Sequence, residues 1–155
     1  MHPQVASTVN ELGTMALLRG DPDAAESHFT RMAAIYGAVH GDNHYLLGIA
    51  RSNLASVYVA RKEYSRAEAL YREVIAHFTR TLSAGHQNTG IARIKLGRAL
   101  VRQERYAEAE PELLAGYAVL EKQTEPTVSW LKMAREDLVT VYEALGQPQK
   151  AGQYR

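Results

Sequence analysis

A chain of 155 residues with 46% apolar and 23% charged residues has the length and balance of one folded globular domain, which excludes wholesale disorder. The formal net charge of +1 argues against general binding to nucleic acid or to a membrane surface. The absence of cysteine removes disulfides, thiolate nucleophiles and cysteine-based zinc sites together. No signal peptide is read at the N-terminus, which lacks a basic region and is interrupted by Glu11. The apolar stretch Leu113 to Leu120 falls well short of the roughly 20 residues that a spanning helix needs. The chain reads as cytoplasmic.

Along the chain, apolar and small residues return in steps of three and four, the period of amphipathic helices. Seven main helices are predicted at about 4–19, 22–39, 45–61, 64–82, 88–103, 106–123 and 128–145, followed by a short remnant at 148–154. The first break, Gly20-Asp21, is well marked: Gly20 suits a left-handed helix end, Asp21 an N-cap, and Pro22 the first helical position. Lys62-Glu63, Glu104-Arg105 and Gly146-Gln147 mark the corresponding breaks, each 42 residues on. Longer breaks at Gly41-Asp42-Asn43, Ser83-Ala84-Gly85 and around Thr124 to Thr127 are rich in turn-forming residues.

The same spacing governs the whole chain. Leu12, Leu54, Leu96 and Leu138 are each 42 apart, as are Ala25, Ala67, Ala109 and Ala151, and His2, His44 and His86. A fixed period of this size predicts stacked helix–turn–helix units. The units are placed at about 2–43, 44–85, 86–127 and 128–155, the last cut short. The constant leucine column is expected to pack unit against unit.

Leu12-Gly13, Leu54-Ala55 and Leu96-Gly97, followed by Tyr58, Leu100 and Tyr142, and then by Ala25 with Phe29 and Ala67 with Tyr71, resemble the tetratricopeptide repeat. That family's unit usually has about 34 residues. The 42-residue period, with Asn53-Leu54-Ala55 and Ala67-Glu68-Ala69-Leu70-Tyr71, is similar to the longer variant of kinesin light chains and bacterial signalling proteins. The resemblance implies an all-α fold, a right-handed α–α superhelix of antiparallel helix pairs. Its first helices would line a concave groove for a peptide. Carried onto this sequence, the groove residues are Asn10 and Thr14, then Ser52, Asn53 and Ser56, then Lys95 and Arg98, then Glu136 and Thr140. The groove would be uncharged at its start, basic in the third unit and acidic in the fourth. Asn53 can bond a peptide backbone as donor and acceptor, and Arg98 offers a fork for a carboxylate. The unfinished last unit, and a first unit with no cap before it, suggest a C-terminal fragment of a longer protein. Pro111, in the second turn of its helix, is expected to remove one backbone bond and bend the axis.

Catalytic signatures are missing: no Gly-rich phosphate loop, no GxSxG and no HExxH occurs. The chain is read as no enzyme, with no cofactor and no metal. His40 and His44 bracket Asp42, but turn residues with local hydrogen bonds explain them better than a metal site. Arg51, Arg93 and Arg135 form a second column, read either as a basic ladder for an acidic peptide or as partners of carboxylates such as Glu68 and Glu110. The function expected is a protein- or peptide-binding module in a signalling or regulatory protein. The alternatives are a homo-oligomerisation element and a segment docking on a linked kinase or transcription-regulator domain. Expected partners are a protein or peptide, with no nucleic acid and no membrane, for a monomer or weak homodimer.

Overall fold

The computed structural model describes residues 3–123 and 128–155. Their regular structure is helical throughout: α1 (Pro3–Leu18), α2 (Pro22–His40), α3 (Tyr45–Ala60), α4 (Tyr64–Thr81), α5 (Gln87–Val101), α6 (Tyr106–Glu121), α7 (Val128–Ala144) and α8 (Pro148–Gly152). The sequence-based ends agree with these to within two residues. His2 and the boundary expected around Thr124 to Thr127 lie outside the described residues. The helix α6 runs on through Pro111, whose side chain faces solvent.

One turn is built four times. Gly20, Lys62, Glu104 and Gly146 follow α1, α3, α5 and α7, and all have positive φ, from 58° to 74°. At the first, Gly20 N–H donates to the Leu17 carbonyl and Asp21 N–H to that of Ala16. The same pair of bonds recurs at Lys62 and Glu63, at Glu104 and Arg105, and at Gly146 and Gln147. Each closes the exposed carbonyls of the preceding helix in a Schellman motif. Glycine enters this conformation without steric cost, whereas lysine and glutamate do not. The backbone thus repeats where the sequence has stopped repeating.

Of the N-terminal caps, the histidine one repeats. Asp21 Oδ1 accepts from Ala24 N–H at 3.0 Å. His44 Nδ1 accepts from Leu46 N–H at 3.3 Å, and His86 Nδ1 from Asn88 N–H at 3.1 Å. An imidazole nitrogen here does what a serine or aspartate oxygen usually does. His44 also stacks on His40, and its carbonyl lies 2.9 Å from Nε2 of the buried His77. These contacts place His44 at the cap of α3 and His40 at the end of α2.

The chain forms two compact units, Met1–Thr81 and Leu82–Arg155. In the first, α2 packs on both α1 and α3, and α4 on α3. Its core gathers Val9, Phe29, Met32, Ile35 and Val57. Arg61, at the end of α3, ties back to Asp23 and Glu26 of α2 at 2.5 and 2.6 Å. In the second unit α6 packs on both α5 and α7, and α8 on α7. Leu96, Leu100, Leu113, Leu120 and Leu138 are fully buried there.

The common burial predicted for the leucine column holds only in part. Leu96 and Leu138 are 1% and 0% exposed and Leu54 is half-buried, but Leu12 is 45% exposed. The neighbours of α1 cover the face bearing Ala6, Val9, Gly13 and Ala16, and Leu12 points away from it.

Candidate functional site

The first helix of each pair carries the side chains that the sequence assigns to a groove, and each compact unit contributes its own part. In the first unit, Asn53 Nδ2 of α3 donates to Asn10 Oδ1 of α1 at 2.7 Å. Both amides are half-buried. Two registers of the repeat meet here, the position of Asn10 in one pair and the following position in the next. Beside them, the Ser56 hydroxyl lies 3.0 Å from the Tyr71 hydroxyl and donates to the Ser52 carbonyl at 3.1 Å. Ser52 is 6% exposed and belongs to the packing. Thr14 is exposed, and its hydroxyl donates to the Asn10 carbonyl at 3.0 Å.

The second unit fills the same registers with charge. Arg98 Nε of α5 approaches Asp137 Oδ2 of α7 to 3.3 Å. This is an ion pair without hydrogen-bond alignment, because the same oxygen is buried and accepts no hydrogen bond among the described residues. Burial pushes the Asp137 carboxyl above its ordinary value, and Arg98 and Arg102 pull against that shift. Lys95, half-buried on α5, holds its ammonium 5.5 Å from the centre of the Trp130 ring, within cation–π range. Desolvation lowers its pKa to about 8. Glu136 and Thr140 are exposed on α7. Glu136 lies 3.8 Å from Lys132, and the Thr140 hydroxyl donates to the Glu136 carbonyl at 3.1 Å.

Asn10 with Asn53, and Lys95 and Arg98 along α5, are thus brought together within their own units. Asp137 and Trp130 complete the second cluster. Trp130 escapes a reading by period, because the places one and two periods earlier hold Asn88 and Leu46, unrelated in kind. Its one signal is the seven-residue step to Asp137, which puts both on one face of a helix.

In the arginine column, Arg93 faces the second helix α6 and Arg135 the last residues of the chain. Arg93 Nη1 donates to Glu112 of α6 at 2.8 Å, where the sequence suggested Glu110. Arg135 donates to the Tyr154 and Arg155 carbonyls at 3.1 and 2.9 Å. Arg51 is half-buried on α3. Among the described residues, no group of three or more His, Cys, Asp or Glu is placed to hold a metal ion. None of the described helices is long and apolar enough to cross a membrane.

A family model described as "Tetratricopeptide repeat" matches residues 4–80 and again 49–122. Among solved structures, a Podosopora anserina protein classed provisionally as a kinesin light chain, with nearly identical TPR-like repeats, superposes with a TM-score of 0.82. It is 23% identical, over 99% of this chain and 72% of that one. BtubC (BKLC) from P. vanneervenii gives a TM-score of 0.84 at 19% identity, over 96% of this chain and 59% of its own. The first TPR domain of human RPAP3 gives 0.68 at 18% identity, over 97% of this chain and 99% of that domain. Likeness at these identities shows the helix-pair solenoid fold. No curated protein matches the sequence.

Proposed function

The chain belongs to the tetratricopeptide-repeat family, whose arrays mediate contacts between proteins, and from that premise we propose that it is a non-catalytic module binding an extended peptide along its first helices. One observation carries this reading. Packing positions such as Ala25, Ala67, Ala109 and Ala151 stay constant and fully buried. On the first helices, the register of Glu11, Asn53, Lys95 and Asp137 changes in kind from unit to unit and is half-buried or exposed throughout. Residues that vary while the scaffold stays fixed suit recognition better than folding.

The chemistry of the first unit suits a peptide backbone at its amides, and that of the second an acidic group at its basic residues. The bond between Asn10 and Asn53 fixes both side chains and uses one donor and one acceptor, leaving each amide capacity for a peptide group. Lys95 supplies positive charge beside Trp130, and Arg98 beside Asp137. We place such a module in the cytoplasm, in a signalling or regulatory protein whose further domains would supply any catalysis.

Peptides selected from a random display library on the wild-type protein test this reading. Their affinity should fall at least tenfold for Asn53→Ala combined with Arg98→Glu, with helicity retained. Unchanged affinity would remove these residues from the site.

A further inference from the structure

The charged joint of the second unit is built around a substitution in its register. Asn53 of α3 bonds Asn10 of α1. Two periods on, Asp137 stands in the place of Asn53, and the place of Asn10 is taken by Ile94, which is apolar and fully buried. Asp137 turns instead to Arg98, one turn further along α5, whose Nε comes to 3.3 Å from Asp137 Oδ2. That oxygen is sealed from solvent and accepts no hydrogen bond among the described residues. Charge alone holds the pair.

The charges acting on the Asp137 carboxyl are Arg98 and Arg102 of α5 and Glu136 of its own helix. Helices α6 and α8 also pack on α7, and neither contributes to the charges that shift this carboxyl. Lys95, Arg98 and Arg102 follow one another on α5 at steps of three and four, which sets them on one face. The Arg98 side chain is 31% exposed and that of Asp137 17%, so a group arriving from solvent meets the guanidinium first.

We propose that Asp137 holds Arg98 in place of the peptide's acidic group, and that binding exchanges the two: the peptide carboxylate takes the guanidinium, and Asp137 takes up a proton from water. This rests on the peptide-binding reading above and assigns a regulation to it. Two carboxylates crowded against one guanidinium repel, and like charges that close do not both stay ionised. Asp137 is the buried one of the two, and burial already favours its neutral form. The proton therefore goes to its oxygen, where it makes a donor. The new O–H donates to the peptide carboxylate, a charge-assisted bond of the stronger kind, and the oxygen that accepted no bond now gives one. One proton enters for each acidic group bound. Affinity should rise as pH falls, by at most about tenfold per unit, the limit for a single proton. A peptide with an amide in that place drives no exchange.

The probe is the tightest acidic peptide selected on the wild-type protein, set against its copy with every Asp and Glu made Asn and Gln. Calorimetry at pH 6 in two buffers of different ionisation heat counts the protons taken up. At that pH Lys95, whose pKa is about 8, is already charged and adds nothing to the count. Wild type should take up part of one proton with the acidic peptide and none with the amide copy. Asp137→Asn releases Arg98 and keeps a donor beside it. It should bind the acidic peptide about two- to tenfold tighter than wild type at pH 7, with no proton taken up. Circular dichroism checks folding, and Asp137→Ser, which should also abolish uptake, replaces an Asn variant that loses helicity. No uptake by wild type, uptake that persists in the Asp137 variant, or weaker binding by Asp137→Asn overturns the exchange; the peptide reading survives each of these if Arg98→Glu still loses the peptide. Binding that ignores Arg98→Glu, or a selection that yields no acidic peptide, overturns both.

Discussion

In the unit Met1–Thr81, α1 meets α3 through the amides of Asn10 and Asn53; in the unit Leu82–Arg155, α5 meets α7 through Arg98 and Asp137. The joint is the same in kind, between neighbouring first helices, but the first is neutral and aligned while the second is charged and poorly aligned. A neutral hydrogen bond adds about 0.5–1.5 kcal/mol and is indifferent to pH. A desolvated ion pair gains little net stability, yet losing one partner strands a charge. The neutral joint therefore holds the scaffold quietly, and the charged joint is the one that a ligand or a proton can disturb.

The widest contrast between the two units is in packing. Leu138→Ala in the second should cost about 2–5 kcal/mol, whereas Leu12→Ala on the exposed face of α1 should change stability by less than about 0.5 kcal/mol. Urea unfolding of both variants measures the gap, and equal losses would erase the distinction. Next comes the charged joint itself. Arg98→Ala should destabilise the fold by about 1–3 kcal/mol at neutral pH by removing the stronger of the two positive charges acting on Asp137. Because burial raises the folded pKa of Asp137, the folded state binds more protons than the unfolded one, and this group destabilises the fold as pH rises through that value. The Arg98→Ala deficit should accordingly shrink on acidification towards the ordinary value of 3.8, while the Asn53→Ala deficit of about 0.5–1.5 kcal/mol stays flat. Parallel pH-dependent melting curves would blur the comparison.

Lys95 sharpens it from the alkaline side. Its folded pKa is lowered to about 8 from 10.5, so the cost of burying its charge is fully present below 8 and vanishes as pH rises to 10.5. Lys95→Met should be more stable than wild type at pH 7, with the difference closing across that window; a constant difference would show that packing, not charge, separates them. The smallest effect belongs to the turns. Lys62→Gly and Glu104→Gly should each stabilise by about 0.5–1 kcal/mol by relieving left-handed backbone, an effect present in both units. A loss would mean that the flexibility of glycine in the unfolded chain outweighs the strain.

The helices were legible because two signals agree: the three-and-four spacing, and turn chemistry such as Gly20-Asp21-Pro22. Even Lys62 and Glu104, with no turn signal of their own, are located by lying one period from a glycine. The exposure of Leu12 was not legible, because a residue's burial depends on the helix beside it, and the column is the same whether that helix is there or not. The site was half visible. Asn10, Asn53, Lys95 and Arg98 were candidates through the family resemblance, but the pairing of Asn10 with Asn53 joins two different columns, 43 residues apart, which a strict 42-residue comparison passes over. His44 and His86 stood out as a period, yet their capping role needed coordinates, because histidine seldom supplies the acceptor at a helix start.

Each helix of a compact unit rests on the helices next to it in the chain. Folding then asks for short loops to close and little else, which favours rapid formation from many starting points. The same arrangement governs how the molecule gives way. Tension on the two ends would peel helices in sequence rather than shear a core at once. The first to leave would be the five-residue α8, and its amide hydrogens should exchange with solvent before those of α6 or α7.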